Sequence, residues 1–147
     1  MNVDVSTEIV IKRPREQVAA YSADPDNAPI WYDNIKVVQW ESQPPLALGS
    51  RIAFVATFLG RRLAYTYEII DFQPGSRLVM STQEGPFPME TTYIWEDAAD
   101  GATRMTLRNR SSPSGFSNLV SPLMASNMRR TNQKDLAKLK EILESKP

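Results

Sequence analysis

The chain has 147 residues, of which 41% are hydrophobic and 23% charged, as is usual for folded globular proteins and unlike disordered or membrane-embedded chains. The 17 Lys and Arg residues balance the 17 Asp and Glu residues, so net charge does not direct the protein towards nucleic acid or an anionic membrane. Without Cys or His, disulfides, thiolate or imidazole metal sites and Ser-His-Asp catalysis are excluded.

Length and composition predict a single domain over residues 1–147, located in the cytoplasm. A domain is typically about 100 to 150 residues long. The chain begins without a positive segment followed by an apolar run, and it has no apolar window of membrane-spanning length. It also lacks the alternating Asp, Asn and Gly pattern of a calcium loop. We therefore expect no metal, no cofactor and no insertion into a membrane.

Alternating apolar and polar residues predict strands through most of the chain before Pro113. The first strand covers residues 3–11, a short helix covers 14–21, and the proline-containing segment 24–29 leaves room only for a turn or a second very short helix. The turns that follow are short, which favours antiparallel hairpins. Six further strands are expected near residues 35–41, 50–58, 62–72, 77–82, 89–97 and 103–110.

The chain after Pro113 predicts one long helix. Ser121-Pro122 is a strong start signal, because Ser caps a helix and Pro is favoured at its first position. The alternative is an earlier turn over residues 116–120 with a kink at Pro122. A helix over residues 122–145 would be about 36 Å long and would cross a small sheet. The predicted fold class is α+β, with a curved antiparallel sheet of seven strands around this terminal helix.

The inward face of this helix changes in size along its length. At about 100° per residue, its inward positions are Ser121, Ala125, Met128, Asn132, Leu136, Leu139 and Leu143, with Met124, Asp135 and Ile142 at the margin. The leucines come last, and the smaller or polar residues come first. We therefore expect a hollow between the sheet and the first half of the helix. The alternative is an ordinary core in which aromatic rings of the sheet fill that space.

The predicted concave face of the sheet is rich in aromatic and Met side chains. Buried Tyr and Trp carry polar groups that need a partner, Met adapts to irregular shapes, and Asn132 would offer a directional hydrogen bond. A stripe of this kind is also typical of a plain core. The candidate ligand-binding residues are Phe54, Phe58, Tyr65, Tyr67, Met80, Phe87, Met89, Tyr93, Trp95, Met105, Leu107, Met124, Met128 and Asn132.

The charged residues indicate solvated surface rather than a site. Arg62 and Glu68 fall on the strand face opposite Tyr65 and Tyr67, and no two carboxylates are placed as an acid–base pair. Basic residues dominate positions 104–140, but no nucleic-acid-binding motif accompanies them. We expect no nucleic-acid partner. A homodimer formed through an edge strand is an alternative that the sequence does not decide.

Five segments carry a resemblance to a known family. They are the Asp24-Pro25-Asp26-Asn27 turn before Trp31, the Phe58-Leu59-Gly60-Arg61 turn, the Gly85-Pro86-Phe87-Pro88-Met89-Glu90 hairpin, Trp95-Glu96-Asp97 and the helix over residues 124–143. Their order resembles the START-like superfamily, and within it the polyketide cyclase/dehydrase-like branch named SRPBCC. The resemblance implies a helix-grip fold with a deep cavity for hydrophobic ligands. It transfers no catalytic signature residue by residue.

Three functional hypotheses result. The first is binding of a small lipid, polyketide or isoprenoid-type molecule in the cavity. The alternative is a polyketide cyclase or dehydratase that folds its substrate against the cavity walls, which requires a Tyr or carboxylate of perturbed pKa inside the cavity. A protein-binding module would instead need an exposed apolar patch of several hundred Å², and the sequence shows none.

Overall fold

The computed structural model describes residues 3–58, 60–84, 88–111 and 117–146, with side chains described in these ranges except at positions 58, 83, 84 and 117–124. The candidates Phe58, Phe87 and Met124, and the inward position Ser121, therefore lie outside the described side chains. Within the described ranges, no helix is both long and apolar enough to cross a membrane.

Seven strands form one antiparallel sheet within the described ranges, in the order β1-β7-β6-β5-β4-β3-β2. All seven predicted strands are confirmed, with ends within two residues of the prediction. The strands are β1 (Val3–Ile11), β2 (Ile35–Trp40), β3 (Arg51–Phe58), β4 (Arg61–Gln73), β5 (Arg77–Glu84), β6 (Met89–Asp97) and β7 (Thr103–Ser111).

Irregular pairing bends the sheet. The register between β2 and β3 shifts between Ile35 and Val37, and the register between β4 and β5 shifts at Thr66/Tyr67 and again at Ile69/Asp71. Such bulges bend a strand and increase its twist. The concave face that results receives the helices.

The connection between β1 and β2 contains α1 (Arg15–Ala23), a 3₁₀ turn (Pro25–Asn27) and α2 (Ala28–Trp31). Pro14 precedes α1 in an extended conformation, as expected of a residue before a helix start. The side chain of Asp24 accepts a hydrogen bond from the backbone N–H of Asp26 at 3.0 Å, which caps the 3₁₀ turn. The predicted short helix and proline-containing turn are confirmed.

The terminal helix α3 (Ser117–Glu144) has 28 residues. The predicted start at Ser121 is wrong, and the alternative of an earlier helical turn is confirmed, because α3 begins at Ser117 and Pro122 lies within its early turns. Near a helix start, Pro removes one backbone hydrogen bond and its fixed φ remains helical. At the other end, Arg13 donates to the carbonyls of Glu144 at 2.7 Å and Lys146 at 2.6 Å, so the last carbonyls of α3 have a cationic partner.

The core is divided along α3. Leu136, Leu139 and Leu143 are at most 1% exposed and belong to the main apolar cluster. Nearer the helix start, Met128 packs in a second cluster with Val3 and Val5 of β1. Among the described side chains, the predicted inward face is therefore confirmed.

Candidate ligand-binding site

The middle of α3 covers a hollow of about 120 Å³, which we call the outer hollow. It lies where the two apolar clusters meet, because Met128 belongs to one and Ile35 packs against the other. Its lining residues are Tyr32, Asn34, Ile35, Ala56, Thr57, Tyr65, Met89, Asn109, Met128, Thr131, Asn132 and Asp135.

A second space, the inner hollow, measures about 90 Å³ and lies between the α1–α2 connection and the sheet. Tyr32, Ile35 and Asn109 line both hollows. The inner hollow is lined by Ser22, Ala23, Asp24, Pro25, Ala28, Tyr32, Ile35, Leu46, Ile52, Phe54, Tyr67, Ile69, Leu78, Met80, Thr91, Tyr93 and Asn109.

Two hydrogen-bonded phenols lie at the boundary between the hollows. The hydroxyls of Tyr32 and Tyr93 are directly bonded, and the ring of Trp31 lies 4.1 Å from that of Tyr32 and 5.9 Å from that of Tyr93. Burial raises the pKa of both tyrosines well above the usual value. Both phenols therefore stay protonated near neutral pH and act as neutral hydrogen-bonding groups.

A second cluster of polar side chains lies on the concave face of the sheet. Thr91 donates to the side-chain oxygen of Asn109 at 2.7 Å, and Tyr67 lines the inner hollow together with both residues. Burial raises the pKa of Tyr67 to about 12. The rings of Phe54 and Tyr65 lie 5.7 Å and 6.2 Å from that of Tyr67, within the range of aromatic packing.

Asp135 is a buried carboxylate in the outer hollow, only 1% exposed. One of its oxygens, Oδ1, accepts a hydrogen bond from the backbone N–H of Asp33 at 3.0 Å. The other, Oδ2, has no hydrogen-bond partner among the described residues. Burial raises the pKa of Asp135 to about 7, although the Asp33 hydrogen bond and the charge of Lys134 oppose the shift. Asp135 thus changes charge near neutral pH.

Asn132 lies one helical turn before Asp135 and is 4% exposed. Its Nδ2 donor also has no hydrogen-bond partner within the described part of the chain. Residues three apart on a helix are neighbours on its surface. Two neighbouring lining residues of the outer hollow therefore each carry a buried polar atom without a partner among the described residues.

The structure brings eight predicted residues to the two hollows and separates others. Three candidates lie elsewhere: Met105 and Leu107 are fully buried in the main cluster, and Trp95 donates to the hydroxyl of Ser22 at 2.9 Å. The role of all these residues in binding stays a prediction. The outer hollow contains Tyr65, Met89, Met128 and Asn132, and the inner hollow contains Phe54, Tyr67, Met80 and Tyr93.

The sequence-based set omits eight lining residues of the outer hollow, including these four: Tyr32, Ile35, Asn109 and Asp135. For two of them a signal was available. Asn109 continues the alternation of Met105 and Leu107 along β7, and Asp135 lies at the margin of the inward face of α3. No pattern marks Tyr32, since its position depends on the turn after α2.

A larger open groove, of about 570 Å³, lies outside the hollows at the end of the sheet beside α1. Trp40 and Phe72 contribute to its walls. The indole N–H of Trp40 donates to Asp26 at 2.9 Å. This groove has a predominantly apolar wall and no buried, unpartnered polar side chain among its described lining residues.

The profile of the family described as "Polyketide cyclase / dehydrase and lipid transport" matches residues 2–144. Solved structures with the same fold include the protein TTHA0849 from Thermus thermophilus, with 19% identity, a TM-score of 0.83 and coverage of 97% of this chain and 99% of that chain. The Zhui aromatase/cyclase from Streptomyces sp. R1128 has 13% identity, a TM-score of 0.82 and coverage of 98% of this chain and 94% of that chain.

A START superfamily protein from Mycobacterium smegmatis has 13% identity, a TM-score of 0.79 and coverage of 96% of this chain and 97% of that chain. No curated protein sequence matches this chain significantly. The resemblance to the START-like superfamily and the predicted helix-grip fold are both confirmed.

Proposed function

The chain belongs to the polyketide cyclase / dehydrase and lipid transport family, and from this membership we propose that it binds a small hydrophobic or aromatic molecule between the sheet and α3. One observation carries the proposal: the outer hollow combines apolar walls with two buried polar side chains, Asn132 and Asp135, that each have an unpaired atom among the described residues. Ligand sites typically combine apolar surface with a few polar groups that fix orientation.

The size of the hollows limits the ligand. Pockets for drug-sized molecules measure about 300 to 1,000 Å³, whereas an apolar cavity of about 150 Å³ accepts benzene. The outer hollow, at about 120 Å³, is therefore suited to one aromatic ring after small side-chain adjustments. A lipid, polyketide or isoprenoid of greater length requires the outer and inner hollows to be joined.

Leucine substitutions at two alanines of β3 test the proposal. Ala56 lines the outer hollow, and Ala53 falls on the opposite face of the same strand because side chains alternate. Ala56→Leu places extra methyl groups in the hollow, and Ala53→Leu adds them outside. We expect saturable binding of toluene, measured by ligand-observed NMR, to wild type and Ala53→Leu, and a loss of at least about 10-fold in affinity in Ala56→Leu. Wild-type protein that shows no saturable toluene binding would contradict the proposal.

Asp135 supports a second candidate function, polyketide cyclase/dehydratase-type catalysis. A general acid–base group works best with a pKa near the operating pH, and that of Asp135 is about 7. Its carboxylate would remove a proton next to a substrate carbonyl, while the Asn132 amide donates to the developing enolate oxygen. Asp135 would then return this proton to the β-hydroxyl, which leaves as water while the enolate electrons form the C=C bond of the enone.

The dehydration of 4-hydroxy-4-phenylbutan-2-one to its enone tests this second function, because the enone has a distinct ultraviolet absorption. We expect a rate above that of buffer with wild-type protein and no acceleration with Asp135→Asn. If wild-type protein binds toluene but does not accelerate this reaction, the catalytic function is rejected and only the binding function remains.

A further inference from the structure

We infer that Asn132 and Asp135 recognise one hydroxyl group, and that the ligand class of the outer hollow is a single aromatic ring that carries this hydroxyl. The inference deepens the proposed binding function and rests on it. It concerns the chemistry at the polar end of the hollow, which neither the family nor the fold specifies.

Several polar groups of the two hollows already have a hydrogen-bond partner within the protein. Tyr32 is bonded to Tyr93, Asn109 accepts from Thr91, and Oδ1 of Asp135 accepts from the Asp33 backbone. None of these contacts needs a ligand.

Three buried side-chain atoms have no partner among the described residues. The indole nitrogen of Trp31 belongs to no lining residue of the outer hollow, and the other two are Nδ2 of Asn132 and Oδ2 of Asp135. One is a donor and the other, when ionised, an acceptor. Leaving such groups buried and unpaired is destabilising, so a bound group that pairs both gains affinity from each.

The combination of donor and acceptor selects the functional group. A hydroxyl donates its proton to Asp135 and accepts from Asn132 through its oxygen. A carbonyl accepts only and leaves ionised Asp135 unpaired, whereas an ammonium donates only and leaves Asn132 unpaired. A carboxylate is repelled by ionised Asp135. Because the two residues are neighbours on one helix face, we expect one oxygen atom of a ligand to reach both after small side-chain adjustments.

The remaining walls select the body of the ligand. Met89, Met128, Ile35 and the ring of Tyr65 line the same hollow, and they offer adaptable and aromatic surface. The volume of about 120 Å³ corresponds to one ring rather than to a fused polycycle.

Three probes with the same methyl-substituted ring test the inference: p-cresol, toluene and p-toluate. Binding is measured at about pH 8, where Asp135 is largely ionised because its pKa is about 7. We expect wild-type protein to bind p-cresol at least about 10-fold more tightly than toluene, as two added hydrogen bonds predict. p-Toluate should bind more weakly than p-cresol by a similar factor.

Two variants test whether Asp135 and Asn132 cause the preference for p-cresol over toluene. Asp135→Asn keeps the side-chain shape, retains an oxygen for the Asp33 N–H and replaces the free acceptor with a donor. Asn132→Ala removes the amide without filling the hollow. In both variants we expect the preference for p-cresol over toluene to fall to about 3-fold or less, while toluene binding persists and reports an intact hollow. Gln133→Ala, on the exposed face of α3, is the matched control and should keep the wild-type preference.

The outcomes separate the two proposals. If wild type binds none of the probes, the proposed function itself fails. If toluene and p-cresol bind equally well, or if the preference for p-cresol survives in both variants, the binding function stands and hydroxyl recognition by Asn132 and Asp135 is overturned. Should Asn132→Ala not fold, the isosteric Asp135→Asn still decides the question.

Discussion

The side chain of Asp135 accepts a hydrogen bond from the backbone N–H of Asp33 at 3.0 Å, across 102 positions of sequence. This bond joins α3 to the turn between α2 and β2, next to Tyr32. The buried Asp135 carboxylate therefore connects α3, which covers the outer hollow, to the segment that separates the two hollows. Changes in the charge of Asp135 are expected to affect both stability and the site.

Protonation of Asp135 makes stability depend on pH. Its pKa is about 7 in the folded protein, against a usual value of 3.8. Between these values the folded state holds a proton that the unfolded state has released, so this contribution to stability falls as the pH rises and is lost above about pH 7. Relative to Asp135→Asn, we expect wild type to lose about 2 kcal/mol in free energy of unfolding between pH 5 and pH 8.

Urea denaturation of both proteins at the two pH values measures this difference. The comparison with Asp135→Asn removes the effects of all other titrating groups. Parallel pH profiles of the two proteins would show that Asp135 is ionised in the folded state throughout this range, contrary to the expectation.

The Tyr32–Tyr93 pair limits the length of the ligand. Because Tyr32 lines both hollows and is bonded to Tyr93, Tyr32→Ala should join the two spaces. We expect 4-phenylphenol, which has two rings in line, to bind this variant at least about 10-fold more tightly than wild type, since the second ring becomes buried. Calorimetric titration measures the change.

Tyr21→Ala provides the control, because Tyr21 on α1 lies outside both hollows and its removal should leave the affinity for 4-phenylphenol unchanged. Tyr32→Ala is also expected to lower the free energy of unfolding, by about 2 to 4 kcal/mol, because a buried aromatic ring is lost. A folded Tyr32→Ala protein with wild-type affinity for 4-phenylphenol would show that Tyr32 does not limit ligand length.

Ser22, which lines the inner hollow, is hydrogen-bonded to Trp95. The Trp95 indole donates to the Ser22 hydroxyl at 2.9 Å, and that hydroxyl donates to the Val18 carbonyl at 2.6 Å. Ser22→Ala leaves a buried indole N–H without this partner, so we expect a loss of about 1 to 3 kcal/mol in free energy of unfolding. In a Trp95→Phe background the same substitution should cost clearly less. Equal costs in the two backgrounds would show that the two residues are not energetically coupled.

The sequence predicted the sheet well because its alternation is strict and its turns are marked by Gly and Pro. β1 is an example, since Val3, Val5 and Ile11 are buried on one face as its pattern indicates. The change from small to large side chains along α3 predicts a hollow beneath its first half, whereas the α3 residues that line the outer hollow lie around the middle of the helix, from Met128 to Asp135. A ligand cavity there stays a prediction.

The finer features of the site depend on contacts that one-dimensional patterns do not contain. Tyr32 lies in a turn whose path is set by its packing against α3, and the acidity of Asp135 depends on burial that only the folded chain creates. Met105 and Leu107 share the alternation of the lining residues, but they lie where the leucines of α3 close the gap. The cap signal at Ser121 does not distinguish a helix that starts there from one that starts a turn earlier and continues through Pro122. The structure has the earlier start.

The most direct test of ligand binding in the outer hollow uses the methionine methyl groups as local probes. Met89 and Met128 line the outer hollow, Met80 lines the inner one, and Met105 is fully buried away from both. In a titration of methyl-¹³C-methionine-labelled protein with p-cresol, we expect saturable NMR shifts of Met89 and Met128 with one dissociation constant, and no comparable shift of Met105. Saturable binding of p-cresol that leaves the Met89 and Met128 signals unmoved would contradict the account.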